Sequence, residues 1–351
     1  MAEGDEPLAA SMGDEGEASQ RRRPRARPRQ EAILQKEGKD EEHGGGDGGA
    51  EETLWHGGTG VTMLLPMSIV ADRSPALGDE GGEAPFVRIA GDPAAGLIVL
   101  CDHAANRVPA DYGDLGLGPD EFRRHIAFDP GAAAVTSGLA CQLGVPAVLS
   151  TFSRLLIDAN RGEDDPTLIM RLSDGAVVPG NAGVDAAERE HRIARFHAPY
   201  HAAIAVAIDE SLSQGVAPAL VSVHSFTPVW RGRKRPWHAG VLWDRDPRLA
   251  EPLIAALAAD PSLVVGDNEP YSGALANDTL YRHGTRRGLA HALIEIRQDL
   301  IADETGARAW SEQLAAILAD LNRREEIHKV HHYGSLSGPV DPISWDGTPE
   351  R

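Results

Sequence analysis

Short apolar runs recur from about residue 86 onward, and most of them end in turn-forming or polar residues. Runs of this length are typical of buried β-strands. They predict strands over residues 96–101, 147–151, 155–157, 217–223, 239–243, 263–265 and 290–296. Longer amphipathic segments predict helices over residues 133–143, 186–212 (with a break at Pro199), 247–259 and 312–324. Strands that alternate with helices favour an α/β fold, with a mixed, mostly parallel sheet and helices on both faces.

The composition divides the chain into three parts. Residues 1–85 are rich in Gly, Glu, Asp and Arg, which predicts a disordered extension whose Arg-rich run is part of a solvated tail. An α/β domain is predicted over residues 86–325, followed by a loose tail over residues 326–351.

The bulk properties exclude several classes of protein. The net charge of -19 argues against a nucleic-acid-binding body. No apolar run is long enough to span a bilayer. The two cysteines do not form a disulfide framework, which favours a reducing compartment and a cytoplasmic protein.

Polar residues with metal and acid–base chemistry occur where three of the predicted strands end. His103 follows the first strand, His224 follows the strand over 217–223, and Glu295 lies near the end of the strand over 290–296. Sites in open α/β sheets gather at the carboxyl ends of strands. Imidazoles on rigid elements bind zinc, and a nearby carboxylate can take a proton from the zinc-bound water.

A fourth segment, residues 153–161, has the chemistry for carboxylate recognition. It contains Arg154, Asn160 and Arg161. Arginine binds a carboxylate through two parallel hydrogen bonds, and asparagine adds an amide donor. In the alternative interpretation, Asp158 pairs with one of these arginines and the segment is structural.

Five sequence segments together resemble the N-formylglutamate amidohydrolase family, and the resemblance runs from about Gly96 to about Asn322. The segments are Cys101-Asp-His-Ala-Ala-Asn-Arg-Val-Pro109, Ser153-Arg-Leu-Leu-Ile-Asp-Ala-Asn-Arg161, Val223-His-Ser-Phe-Thr-Pro228, Asn268-Glu-Pro-Tyr-Ser-Gly273 and Ile294-Glu-Ile-Arg-Gln-Asp-Leu300. The resemblance implies a fold similar to that of the zinc-dependent exopeptidases.

The resemblance also implies a zinc ion (Zn²⁺) held by His103 and the later His224. The relatives take their second ligand from a glutamate three residues after the first histidine, but this position is Asn106 here. An amide oxygen is a weaker ligand than a carboxylate. Asp129 is the alternative oxygen ligand, and Asp102 is a candidate for orienting His103 or a neighbouring group.

The remaining site residues are assigned by the same resemblance. Glu295 is the expected catalytic acid–base group, and Arg154 is expected to polarise the scissile carbonyl. Asn160 and Arg161 are expected to hold the substrate carboxylate. Tyr271 and Arg297 are possible second contacts with the substrate.

These assignments predict a cytoplasmic zinc amidohydrolase, a monomer or homodimer, that converts the small molecule N-formylglutamate to formate and glutamate. No nucleic-acid or membrane partner is expected. Two other interpretations stay open on the sequence. One is a deacylase for a different acyl group or amino acid, and the other is a non-catalytic carboxylate-binding protein, which the asparagine at position 106 keeps possible.

Overall fold

The structure is a computed structural model that describes residues 84–344. The described strands are β1 (Phe86–Ile89), β2 (Leu97–Cys101), β3 (Ala147–Ser150), β4 (Leu172–Ser173), β5 (Ala176–Val177), β6 (Ala219–Phe226), β7 (Val229–Trp230), β8 (Arg233–Lys234), β9 (Ala239–Leu242), β10 (Val265–Asp267) and β11 (His291–Arg297). The α-helices are α1 (Ala132–Leu143), α2 (Pro179–Ala182), α3 (Ala186–Arg192), α4 (Ala198–Ser213), α5 (Pro247–Ala258), α6 (Thr279–His283) and α7 (Glu304–Leu321).

Seven strands form one sheet in the order β1-β3-β2-β6-β11-β9-β10. The central strands β3, β2, β6 and β11 are parallel, and β9 pairs antiparallel with β11. Strand β10 is parallel to β9, and β1 pairs antiparallel with β3 at the opposite edge. The predicted mixed, mostly parallel sheet is confirmed. The remaining strands form two short hairpins, β4–β5 and β7–β8, outside this sheet.

Alternating residues of the strands divide the core between the two faces of the sheet. Val99 and Val221 pack with helices α1, α5 and α7 in one cluster of buried side chains. Ile98 and Leu220 pack with α4 in a second cluster on the opposite face. Successive strand residues point to opposite faces, so the apolar runs of the sequence cover both. The predicted layers of helices on both faces of the sheet are therefore present.

Two local predictions were wrong. Residues 155–157, predicted as a strand, form a buried turn in which Leu156 N donates to Ser153 O. A short apolar run indicates burial, and burial does not require pairing in a sheet. Pro199 does not end the long helical segment, because the backbone stays helical through it, with a π-helical turn over Ile193–His197 directly before it. Proline removes one N–H donor from the helical hydrogen bonds, and a local π-helical adjustment interrupts the regular α-helix at this place without ending it.

The ends of the chain are described only in part. Residues 1–83 and 345–351 lie outside the described residues, so the extension remains a prediction. The described part of the predicted tail has little regular structure, but His331 N donates to Gly288 O and Ile343 N donates to Arg286 O. Among residues 84–344, none of the helices has the length and apolar character needed to cross a membrane.

Candidate active site

Two histidines and an aspartate from separate elements meet at the carboxyl end of the central strands. His103 follows β2, Asp129 precedes α1, and His224 lies in β6. The Nδ1 atoms of His224 and His103 lie 2.9 and 3.4 Å from Asp129 Oδ2. One ligand atom from each residue lies within 4.8 Å of the other two. Two imidazole nitrogens and one carboxylate oxygen match the three protein ligands of catalytic zinc sites.

The far side of each imidazole is hydrogen-bonded to a buried carboxylate. His103 Nε2 lies 2.6 Å from Asp158 Oδ1, and His224 Nε2 lies 2.8 Å from Asp102 Oδ2. A carboxylate at Nε2 keeps the proton on that nitrogen and leaves the Nδ1 lone pair for a metal. The donor set therefore fits a zinc ion, and Asp102 orients His224 rather than His103.

The charges at the cluster also fit a cation. Burial lowers the pKa of His224, but the hydrogen bonds and charges of Asp102 and Asp129 outweigh burial and raise it to about 10. Burial raises the pKa of Asp102, but its bond with His224 brings the pKa down to about 2. These acids therefore favour a positive charge between the imidazoles, and a divalent cation supplies it when it displaces a proton.

Asn106 does not join this cluster. Its side chain is exposed, and its Nδ2 donates to Phe122 O at 2.6 Å. Of the two oxygen ligands left open by the sequence, the structure brings Asp129 to the histidines. The sequence left the choice open because Asp129 is 26 residues from His103.

Glu295 lies beside His224 on the next strand. In the register of the parallel pair β6–β11, Glu295 is the partner of His224. The side chain is 6% exposed, and its Oε2 has no hydrogen-bond partner among the described residues. Burial raises the pKa of Glu295 to about 7. A carboxylate with a raised pKa and a free oxygen suits proton transfer to and from a reacting group.

The predicted carboxylate-binding segment, residues 153–161, is in contact with the cluster of His103, Asp129 and His224. Arg154 Nη2 donates to Asp158 Oδ2 at 2.9 Å, and Arg154 Nη1 lies 3.5 Å from Asp129 Oδ1. Asp158 Oδ1 also accepts from the backbone N of Asn160 at 2.9 Å. Asp158 therefore pairs with an arginine, as the structural interpretation held, and at the same time links this segment to His103.

Two buried histidines hold the backbone around Asn160 and Arg161. His201 Nε2 lies 3.1 Å from Ala159 O, and His197 Nε2 lies 2.9 Å from Arg161 O. The Asn160 side chain is fixed as well, because its Oδ1 accepts from Thr279 N at 3.1 Å. Arg161 itself donates to Asn160 O and Thr167 Oγ1, which are both neutral acceptors.

These groups open onto one cavity of about 270 Å³. Its lining includes all of the predicted metal, catalytic and substrate-binding residues except Arg297: His103, Asp129, His224, Arg154, Glu295, Asn160, Arg161 and Tyr271. Arg297 donates instead to Asp299 Oδ1 at 2.8 Å and Trp237 O at 3.2 Å, so the structure does not support it as a substrate contact.

Tyr271 reaches the cavity through a loop held tightly against the sheet. Asn268 Oδ1 accepts from Gly273 N at 2.9 Å and from Trp243 N at 3.1 Å. A Cβ atom at position 273 would lie 2.2 Å from Trp243 N, so only glycine permits this close approach. The loop therefore fixes Tyr271 at the edge of the cavity.

Several residues of the cavity were not predicted from the sequence. His125 Nδ1 lies 3.3 Å from Asp129 Oδ1, and burial lowers the pKa of His125 to about 4. Asp278 caps α6, and burial raises its pKa to about 7. The side chains of Trp230 and Trp243 form an aromatic part of the cavity wall. Loop residues of this kind leave no periodic signal, although the cap position of Asp278 before a short helix was recognisable.

Comparison with known proteins identifies the family of this chain. Residues 95–302 match the sequence profile of the family described as N-formylglutamate amidohydrolase. The chain belongs to the N-formylglutamate amidohydrolase family. It is therefore an amide hydrolase by family, and the resemblance seen in the sequence is confirmed.

Two solved structures are similar to about two thirds of the chain. Gene product Atu2144 from Agrobacterium tumefaciens has 35% sequence identity and a TM-score of 0.64, and the match covers 68% of this chain and 95% of that one. An N-formylglutamate amidohydrolase from Ralstonia eutropha JMP134 has 24% identity and a TM-score of 0.50, covering 69% of this chain and 100% of that one. Among curated proteins, no match was found.

Proposed function

We propose that the protein is a zinc-dependent hydrolase that removes the N-acyl group, with formyl as the leading candidate, from an acidic amino acid. N-Formylglutamate would yield formate and glutamate. The observation that carries the proposal is the convergence of His103, His224 and Asp129 beside Glu295 in one cavity, with Asn160 and Arg161 in the same wall.

His103, His224 and Asp129 are the residues that would hold the metal. Zinc in such a site lowers the pKa of a bound water towards ~7 and polarises the scissile carbonyl. Arg154 is positioned by Asp158 to donate to the oxygen of that carbonyl as negative charge develops on it. Asn160 and Arg161 bind the carboxylate of the amino acid and so fix the amide relative to Glu295.

Glu295 carries out the proton transfers. Its carboxylate takes one proton from the attacking water while the water oxygen bonds to the acyl carbon. The same carboxyl group returns the proton to the amide nitrogen as the carbon–nitrogen bond breaks, so the amino acid leaves as an amine. Burial suits Glu295 to both steps, because its raised pKa makes the protonated and ionised forms accessible near neutral pH.

The test is the Glu295→Gln variant, which keeps the size of the side chain and removes its basicity. We expect zinc to remain bound and kcat for formate release from N-formylglutamate to fall by about 10²–10⁴-fold. Metal analysis and a formate assay measure the two quantities. Glu312→Gln is the matched control, because it makes the same change at an exposed position on α7.

Three results would separate the interpretations that the sequence left open. Turnover of N-formylglutamate that depends on zinc supports the proposal. Bound zinc with turnover only on other acyl groups selects a different deacylase. Purified wild-type protein that binds no zinc and releases no acyl group from any member of the panel selects a non-catalytic carboxylate-binding protein.

A further inference from the structure

Arg235 is a buried cation without an anionic partner among the described residues. It is 8% exposed, and its guanidinium donates through Nη1 to Thr227 O at 3.4 Å and Thr227 Oγ1 at 3.3 Å. Both acceptors are neutral. The guanidinium carbon lies 5.0 Å from the ring centroid of Tyr271, 5.3 Å from that of Trp230 and 5.6 Å from that of Phe226.

The other buried arginines of the described chain are neutralised by acids. Arg192 Nε lies 2.7 Å from Glu188 Oε1, and Arg248 Nη2 lies 2.5 Å from Asp246 Oδ2. A charge removed from water is costly unless an opposite charge accompanies it. Aromatic faces stabilise a guanidinium, but they do not neutralise it. Arg235 therefore has the chemistry to bind an anion that is not part of the chain.

The position of Arg235 indicates where that anion would come from. Trp230 and Tyr271, which cover its guanidinium, both line the cavity that contains Glu295. Burial and the charge of Glu295 raise the pKa of Tyr271, while Arg235 and Arg154 oppose the rise. Arg235 is not itself among the lining residues, but its guanidinium contacts two side chains that are.

The other cations near the cavity are already assigned. Arg154 is paired with Asp158 and approaches Asp129, and Arg297 is paired with Asp299. Arg161, with its neutral hydrogen-bond acceptors, serves one substrate carboxylate under the proposed function. An acidic amino acid carries a second carboxylate, which needs a second cation. On the sequence alone, Arg297 and Tyr271 were the candidates for this second contact.

We propose that Arg235 is the residue that selects an acidic amino acid, by binding its side-chain carboxylate between Trp230 and Tyr271. This inference rests on the proposed function and names the substrate class of the same site. The surrounding aromatic rings exclude water from the guanidinium, so its attraction for a carboxylate is weakly screened. A neutral amide of the same size can accept a hydrogen bond from Arg235 but lacks the attraction between opposite charges, so it gains less.

N-Formylglutamate and N-formylglutamine provide the test, because they match in size and differ in one charge. We expect the wild-type enzyme to favour N-formylglutamate by about 10–100-fold in kcat/KM, the range of a hydrogen bond to a charged group. In Arg235→Met, which keeps an apolar side chain against the aromatic rings, the ratio should fall to near one, mainly through KM for the charged substrate. Arg235→Lys should keep part of the preference, since it retains the charge and loses the planar fork.

Stability of the free protein separates binding from a structural role. Without substrate, Arg235→Met removes an unpaired buried charge, so its Tm should equal or exceed that of the wild type. A wild-type enzyme with no preference for glutamate would overturn the proposal. So would an Arg235→Met variant that loses activity equally on both substrates, because Arg235 would then only support Tyr271.

Binding measurements keep this test independent of turnover. Calorimetry with glutamate and glutamine on the zinc-loaded protein should show the same preference in the wild type and its loss in Arg235→Met. If neither N-formyl substrate is hydrolysed, the proposed function fails, and the calorimetric comparison still decides the role of Arg235. Equal binding of both amino acids by the wild type would refute it.

Discussion

Two clusters of buried histidines lie close together in this protein and differ in what surrounds them. His103 and His224 have a buried carboxylate on each side. In the second cluster, His201 Nδ1 lies 3.0 Å from His283 Nε2, and His201 Nε2 lies 3.2 Å from His197 Nε2. The hydrogen-bond acceptors outside this second cluster are the backbone carbonyls of Ala159 and Arg161, and the one carboxylate paired with it in the described chain is the exposed Glu163, 3.9 Å from His197 Nδ1.

The pKa values of His224 and His283 move in opposite directions. Acidic neighbours raise the pKa of His224 to about 10, whereas burial lowers the pKa of His283 to about 3. The first cluster therefore attracts positive charge, and the second stays neutral and supports the backbone. The metal site is defined by imidazole nitrogens that converge on one point and by carboxylates bonded to the other nitrogen of each ring. The number of histidines does not define it.

The largest expected effect comes from removing the carboxylate at the centre of the first cluster. Asp129→Asn keeps the shape but loses the negative charge between the two Nδ1 atoms. We expect zinc affinity to fall by more than about 100-fold, beyond the range known for outer contacts of a metal site. Competition with a chelator measures the affinity. Unchanged zinc affinity would mean that the metal binds elsewhere and that the first cluster is not the metal site.

A smaller effect is expected from the carboxylate behind His103. Asp158→Asn weakens the contacts with His103 Nε2 and Arg154 while leaving the three proposed ligands in place. Zinc affinity should fall by about 10–100-fold. Asp299→Asn, which alters the exposed partner of Arg297, is the matched control. If Asp158→Asn binds zinc as tightly as Asp299→Asn, the carboxylate that contacts His103 Nε2 has no effect on zinc affinity.

The second cluster should respond through stability rather than metal content. His201→Leu leaves the buried carbonyl of Ala159 with only the longer 3.4 Å hydrogen bond from Thr279 Oγ1, so the free energy of unfolding should fall by about 1–3 kcal/mol. His201→Gln places a donor at a similar distance and should recover part of the loss. Denaturant unfolding and zinc analysis measure the two properties. Loss of zinc in His201→Leu would show that the two clusters act as one.

The pH dependence of stability gives the smallest and most specific test. The pKa of His283 is lowered to about 3, while in the unfolded chain it is about 6.5. The unfolded state therefore binds the proton first, and the contribution of His283 is complete above pH 6.5 and declines as the pH falls. The slope approaches ~1.4 kcal/mol per pH unit.

Comparison of the wild type with His283→Leu isolates this slope. Between pH 6.5 and 5, wild-type stability should decline more steeply than that of the variant in denaturant unfolding. Glu295, whose pKa is raised by burial, contributes with the opposite sign, because it binds a proton more readily in the folded state. That contribution is shared by both proteins and cancels in the difference. Parallel curves would contradict a neutral, buried His283.

The sequence predicted the parts of the site that local patterns encode. Apolar runs located the central strands, and their polar ends indicated His103, His224 and Glu295. Pairing of Glu295 with His224 depends on the order of the strands, which local patterns do not specify. The sequence favoured Asp129 over Asn106 as the oxygen ligand without deciding between them, because the path of the loop between them is set by tertiary packing.

The arginines also have roles that the sequence pattern does not specify. Arg297 follows Glu295 by two residues on the same strand, which made it a reasonable substrate contact, yet Asp299 binds it. Arg235 had no distinguishing pattern, because the absence of a nearby acid is a property of the folded chain. Sequence patterns therefore indicated which chemistry is present more reliably than which of two similar side chains carries it.

Asp102 ties together distant stretches of chain. Its carboxylate accepts hydrogen bonds from Tyr200, Ser222 and Thr279 and contacts His224. This carboxylate thus joins the end of β2 to β6, α4 and α6 next to His224, and these central elements cannot separate without breaking its hydrogen bonds. Trp230 and Tyr271 belong to a hairpin and a loop at the edge of the cavity. Evolution of a new substrate preference is therefore expected to replace these peripheral segments and retain the hydrogen bonds around Asp102.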